Sequence, residues 1–115
     1  MRRGGVRLID LDPTVGSEAG KRRPAVVVSN DRANAAADRL RRGVVTVVPV
    51  TSNVARVLPF QTFLPAELTG LRLDSKAQAE QIRSVAVERV GPVVGQVPSG
   101  LLAQLDEALR LHLGL

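Results

Sequence analysis

The sequence predicts a small, mostly antiparallel α+β fold. Three observations carry that prediction: short valine-rich runs fill the first hundred residues, turn residues bound them, and only the last segment repeats at helical spacing. In chain order the runs are Val6–Leu11, Ala25–Asn30, Val44–Val50, Phe60–Leu64, Ser75–Ala79 and Pro92–Val97, giving five or six strands. Residues 12–22 carry Pro13, Gly16, Ser17 and Gly20, and residues 51–56 open Thr-Ser-Asn, so both stretches read as loops. Residues 31–42 are alanine-rich and charged, which suits a short helix or a loose excursion.

The closing element follows from its period. Leu101, Leu105, Ala108 and His112 recur on one face, with Leu102, Leu109 and Leu113 beside them, and Pro98 or Ser99 starts the run. An amphipathic helix of about four turns results, and its apolar stripe is expected to cap an otherwise open sheet. Phe60 and Phe63 lie three apart and cannot share one strand face, so at least one is expected in the core.

Composition narrows the function classes. A chain of 115 residues suits one domain spanning 1–115, with 44% apolar residues and only two aromatics, so the core must be aliphatic. The absence of cysteine excludes a disulfide framework, a thiolate nucleophile and a Cys-ligated zinc site. No stretch has the length of a membrane span, and a cytoplasmic protein is expected. The net charge of +5 is unevenly placed: residues 1–42 hold ten basic and five acidic side chains, whereas residues 43–115 hold six of each. Such a lopsided field attracts a polyanion, nucleic acid first, although a solvated basic surface reads the same from charge alone.

Four stretches then resemble the MazF/PemK family of toxin ribonucleases, and they run in that family's order. They are Asp10-Leu11-Asp12-Pro13 with Gly16-Ser17-Glu18, Arg23-Pro24-Ala25-Val26-Val27-Val28-Ser29-Asn30, Val48-Pro49-Val50-Thr51-Ser52, and Ala79-Glu80-Gln81-Ile82-Arg83-Ser84. Each is weak alone, but all four at this spacing, closed by the helix, are fairly specific. The resemblance implies an SH3-like plasmid-maintenance-toxin barrel with a C-terminal helix, a homodimer, and a toxin neutralised by a cognate antitoxin. It also implies sequence-selective cleavage of single-stranded RNA, typically messenger RNA, with no metal or cofactor. The chain departs from the pattern at its start, where Gly5, Val6 and Arg7 replace the family's usual acidic residue and aromatic.

The residue types suit that chemistry. RNA is cut when its own 2′-hydroxyl attacks phosphorus, given help with that proton, with the leaving oxygen and with the added charge. One histidine and no clustered carboxylates at ligand spacing make a built-in metal site unexpected. Arg23 matches the family's catalytic arginine, and its guanidinium fork suits phosphate clamping better than proton transfer, because arginine stays charged. Pro24 pushes it into an extended conformation at the barrel's rim. Thr51 matches the catalytic threonine, with a hydroxyl able to donate to phosphate. Glu18 matches a glutamate that members need, a candidate base; Glu80 is a second candidate, although PemK-type members place an arginine where this chain has Gln78. Ser17, Ser52, Gln81 and Arg83 are candidate RNA contacts beside Glu80, with Gln81 and Arg83 alternating along a strand or its end.

Each residue also has a plain structural reading: a solvated arginine, a turn threonine or serine, an exposed loop carboxylate. His112 is expected as a packed or helix-end histidine. The Arg39, Arg41 and Arg42 run reads as a solvated loop or an extension of an RNA track. A second functional reading is a catalytically silent relative that binds only antitoxin or RNA, motivated by Gly5 and Arg7. A third, a gyrase poison resembling CcdB, is disfavoured because it needs a C-terminal tryptophan and this chain has none.

Overall fold

The computed structural model describes residues 1–115. Seven strands are present: β1 (Gly5–Asp10), β2 (Arg22–Val27), β3 (Val44–Thr51), β4 (Gln61–Leu64), β5 (Ser75–Gln78), β6 (Arg83–Ala86) and β7 (Val90–Gln96). They pair antiparallel in the order β4-β5-β3-β2-β1-β7, with β6 on the remaining stretch of β3. The curled sheet is not closed, so the expected barrel is an open one. Two irregularities in the β1–β7 register, on either side of Arg7, add local twist.

Three helices complete the chain: α1 (Asp31–Leu40), α2 (Ala66–Thr69) and α3 (Ser99–Leu113). Residues 31–40 form a helix rather than an excursion because Asn30 caps it, accepting from the Ala33 N–H at 2.8 Å, and Arg41 ends it in the left-handed region. α3 packs on β4 and on the 3₁₀ turn at Ala79–Gln81. Its last turn is not packed as the periodicity suggests: His112 and Leu113 are exposed, with the imidazole 6.4 Å from the Phe60 ring.

The central strands are buried on both faces, which explains their nearly unbroken apolar runs. Val26, Val48 and Val50 join Leu105, Ala108 and Leu109 of α3 in one core. Their neighbours Ala25, Val27, Val45 and Val47 point the other way and pack with Ile9, Leu11 and Ala37 of α1. Neither phenylalanine enters either core: Phe63 is 39% exposed and Phe60 is half-buried, so that expectation fails. Aliphatic side chains alone fill both layers.

Two strand assignments also change. β6 has no counterpart among the six runs, since Arg83-Ser84-Val85-Ala86 holds a single bulky apolar residue, and β3 supplies its pairing. Gln81 sits in the 3₁₀ turn before β6, not on a strand with Arg83. β2 starts three residues earlier than its apolar run, because β1 pairs Asp10 with Arg22 and Ile9 with Arg23.

Candidate active site

The site forms where two central strands part. β2 and β3 are paired from Val27↔Val47 to Ala25↔Pro49 and no further. Continuing that register would set Arg23 opposite Thr51. Pro24 and Pro49 lack the N–H a ladder needs, however, and from Val50 onward β3 turns to pair with β5. The separation opens a groove of about 690 Å³. Arg23, Thr51 and Ser52 line it together with Lys21, Arg22 and Arg72, over apolar surface from Leu8, Leu71 and Leu73.

Arg23 is held on one side only. Its Nε donates to the Gly20 carbonyl at 2.8 Å, while the two terminal nitrogens make no hydrogen bond to the protein. That leaves the fork facing the groove with its geometry set and its donors free. Gly20 is closely packed there: a Cβ would lie 2.5 Å from Thr14 Oγ1 and 2.8 Å from Asp12 Oδ1, so one of those side chains would have to move. Lys21 adopts a left-handed φ of 64°, tied by its N–H to Asp12 Oδ1 at 2.8 Å and by its carbonyl to the Leu11 N–H at 2.9 Å. This loop closure delivers Arg22 and Arg23 into β2.

Thr51 Oγ1 accepts from the Asn53 N–H at 3.2 Å, so its own hydroxyl proton stays available to an incoming oxygen. Ser52 is exposed beside it. The groove's lining contains four cations and no carboxylate. A polyanion entering it meets donors from both walls, and a phosphate between Arg23 and Thr51 would have its added charge stabilised.

The carboxylates lie elsewhere. Glu18 and Ser17 are exposed in the β1–β2 loop and do not line the groove; Glu18 Oε1 accepts from the Val15 N–H at 2.9 Å. Gln81 braces that loop, donating to the Ser17 carbonyl at 3.0 Å and accepting from the Ala19 N–H at 2.9 Å. Arg83 Nη1 donates to the Leu11 carbonyl at 3.0 Å, and Arg89 donates to the Asp10 and Asp12 carbonyls. Glu80 Oε2 accepts from Gln61 Nε2 at 2.7 Å, and its other oxygen is buried without a partner, as is Gln78 Oε1. No three His, Asp or Glu side chains converge as they would around a metal ion.

The structure thus brings together Arg23, Thr51 and Ser52, and sets Ser17, Glu18, Gln81 and Arg83 in and around a neighbouring loop. Arg72 and Leu73 were not legible as groove residues, since a lone cation between two leucines has no motif around it. Arg7, one of the residues that depart from the family's opening pattern, donates from Nε to the Gly91 carbonyl at 2.8 Å and so ties β1 to β7. Its contribution is to the scaffold, away from the groove.

Known proteins resemble this chain over its whole length. Endoribonuclease MazF9 of Mycobacterium tuberculosis is 66% identical over 115 residues, covering all of this chain and 98% of that protein. The crystal structure of MazF from Deinococcus radiodurans superposes with a TM-score of 0.82 at 29% identity, covering 100% of this chain and 97% of the other. A crystal structure of MazE-MazF from the same organism gives 0.75 at 29% identity, covering 100% and 97%. Residues 2–113 match the PemK-like, MazF-like toxins of type II toxin-antitoxin systems, and this protein belongs to that family.

Proposed function

We propose that this chain is an endoribonuclease toxin that cuts single-stranded RNA, messenger RNA above all, without a metal or cofactor and thereby arrests growth. The observation that carries it is the groove at the parting of β2 and β3, whose charged residues are all cations and where Arg23 presents free donors beside the Thr51 hydroxyl. Membership of a toxin family and 66% identity to a protein named endoribonuclease support the same reading over a silent relative.

In this mechanism the 2′-hydroxyl gives up its proton as its oxygen attacks the adjacent phosphorus, the bond to the 5′-oxygen breaks, that oxygen takes up a proton from water, and Arg23 stabilises the extra negative charge on the non-bridging oxygens. Thr51 donates to one of those oxygens, and Ser52 binds beside it. Glu18 is the base or its orienter; its tie to Val15 means that it reaches the 2′-hydroxyl only when the β1–β2 loop shifts. Ser17, Gln81 and Arg83 serve RNA through that loop, and Glu80 contributes from the 3₁₀ turn next to Gln81. Few aromatics are available for stacking, so phosphate contacts dominate binding.

The partners follow from the family. A cognate antitoxin with an acidic, apolar-studded segment covers the basic groove. The protein works as a homodimer in the cytoplasm, its 115 residues forming one catalytic domain. Exposed Val57, Phe63 and Leu111, around a second depression between β4 and α3, offer apolar surface for association. No helix is long and apolar enough to cross a membrane. Incubating the purified protein with a mixed RNA pool in EDTA and sequencing the ends tests the reading: cuts at one short motif in unpaired regions are expected, and an intact pool refutes it.

A further inference from the structure

The loop that leaves the groove at Ser52 is fastened by a buried cation. Lys76 is only 9% exposed, and its ammonium has no carboxylate partner; Nζ donates to the Arg56 carbonyl at 2.6 Å. Its place in the sheet gives that bond its meaning. β3 and β5 pair Thr51 with Lys76, so the two side chains emerge on the same face as cross-strand neighbours. The carbonyl that Lys76 holds belongs to the middle of the 52–60 loop, which is therefore folded back to within one lysine's length of the β5 residue that pairs with Thr51.

A second tie lies at the loop's far end. Gln61 Oε1 accepts from the Leu58 N–H at 3.0 Å, and its Nε2 donates to Glu80 at 2.7 Å. The glutamate thereby fixes which way the amide points. Up to the first tie the loop presents exposed Asn53, whose Oδ1 accepts from the Ala55 N–H at 3.4 Å and whose amide N–H groups are free, and exposed Arg56, whose guanidinium makes no ion pair. An amide and a guanidinium are the groups that read the edges and faces of unstacked bases. Burying an unpaired ammonium costs stability, and an apolar residue would fill β5 more cheaply.

We propose that Lys76 is a positioning residue for RNA selection: through the Arg56 carbonyl it holds the 52–60 loop beside Thr51, so that Asn53 and Arg56 meet the nucleotides flanking the cut. Gln61 and Glu80 hold the loop's other end for the same purpose. The inference rests on the ribonuclease reading and deepens it.

The test compares wild type with Lys76→Met, which keeps the stem and removes the donor, and Lys76→Arg, which restores one. Steady-state cleavage of the preferred oligonucleotide is measured, and cut sites are mapped on a random RNA pool. Lys76→Met should raise KM about tenfold with kcat within about threefold, and blur base preference at flanking positions, because a charged hydrogen bond is lost. Lys76→Arg should recover much of both. Should Lys76→Met fail to fold, Gln61→Met cuts the other tie and is judged by the same criteria. A folded variant with unaltered KM and cut sites, or one whose kcat alone falls, overturns this inference and leaves the ribonuclease reading intact. A wild type that cuts nothing overturns the ribonuclease reading, and this inference with it.

Discussion

The two ends of the β2–β3 pair carry polar residues that have met opposite fates. Where β2 runs out toward α1, Ser29 Oγ donates to Asn34 Oδ1 at 2.5 Å and accepts from the Thr46 N–H at 3.1 Å, while Asn34 Nδ2 donates to the Ser29 carbonyl at 2.8 Å. Asn34 is 0% exposed, and both ends of its amide are paired. At the opposite end Arg23 and Thr51 face solvent across a groove with donors left over. Polar groups that the fold satisfies hold it together, and those it positions without satisfying are free for a ligand.

That contrast is breakable from either side. Asn34→Leu orphans the Ser29 carbonyl and should lower stability by about 2 kcal/mol in denaturant titration, with the cleavage rate per folded molecule unchanged. Thr51→Val should do the reverse, slowing cleavage about tenfold in single-turnover kinetics and leaving the unfolding midpoint in place. A Thr51→Val protein that unfolds early but cuts normally would invert the comparison.

Two smaller effects sharpen it. Arg72→Ala removes one groove cation, so the slope of log affinity against log salt for a non-cleavable RNA should flatten by about 0.7, and an unaltered slope would take Arg72 off the phosphate path. At the satisfied end, the Arg3 N–H donating to Asp31 at 2.6 Å holds that carboxyl below its ordinary value of 3.8; burial opposes the shift and Arg2 adds attraction. A depressed folded pKa means that Asp31 contributes stability above pH 3.8, lost as pH falls through the lower folded value. Wild type should therefore lose thermal stability more steeply than Asp31→Asn below about pH 4, and parallel curves would contradict this.

The same contrast explains what could be read from sequence. Val44–Val50 and the leucines of α3 announce themselves, because burial imposes a period on residue type. Arg23 and Thr51 are legible only through the resemblance of the motifs around them, Arg-Pro-Ala-Val-Val and Val-Pro-Val-Thr-Ser, to a known family; alone, each reads as a solvated arginine or a turn threonine. What remained hidden depends on partners distant in the chain. β6 is a strand only because β3 has an open edge, and Arg72 enters the groove only because Leu71 is anchored in the α3-side core. Glu18 and Gln81 are 63 positions apart yet serve one loop, where Gln81 braces both sides of the glutamate.

In the proposed mechanism the guanidinium at the parting of β2 and β3 stabilises the reacting phosphate. Single-turnover cleavage of one unstructured RNA in EDTA, comparing Arg23→Ala with wild type at saturating enzyme, addresses it directly. The variant's rate should be lower by about 10² to 10³-fold, with the unfolding midpoint and oligomeric state unchanged. A folded Arg23→Ala protein that cuts at the wild-type rate would contradict it.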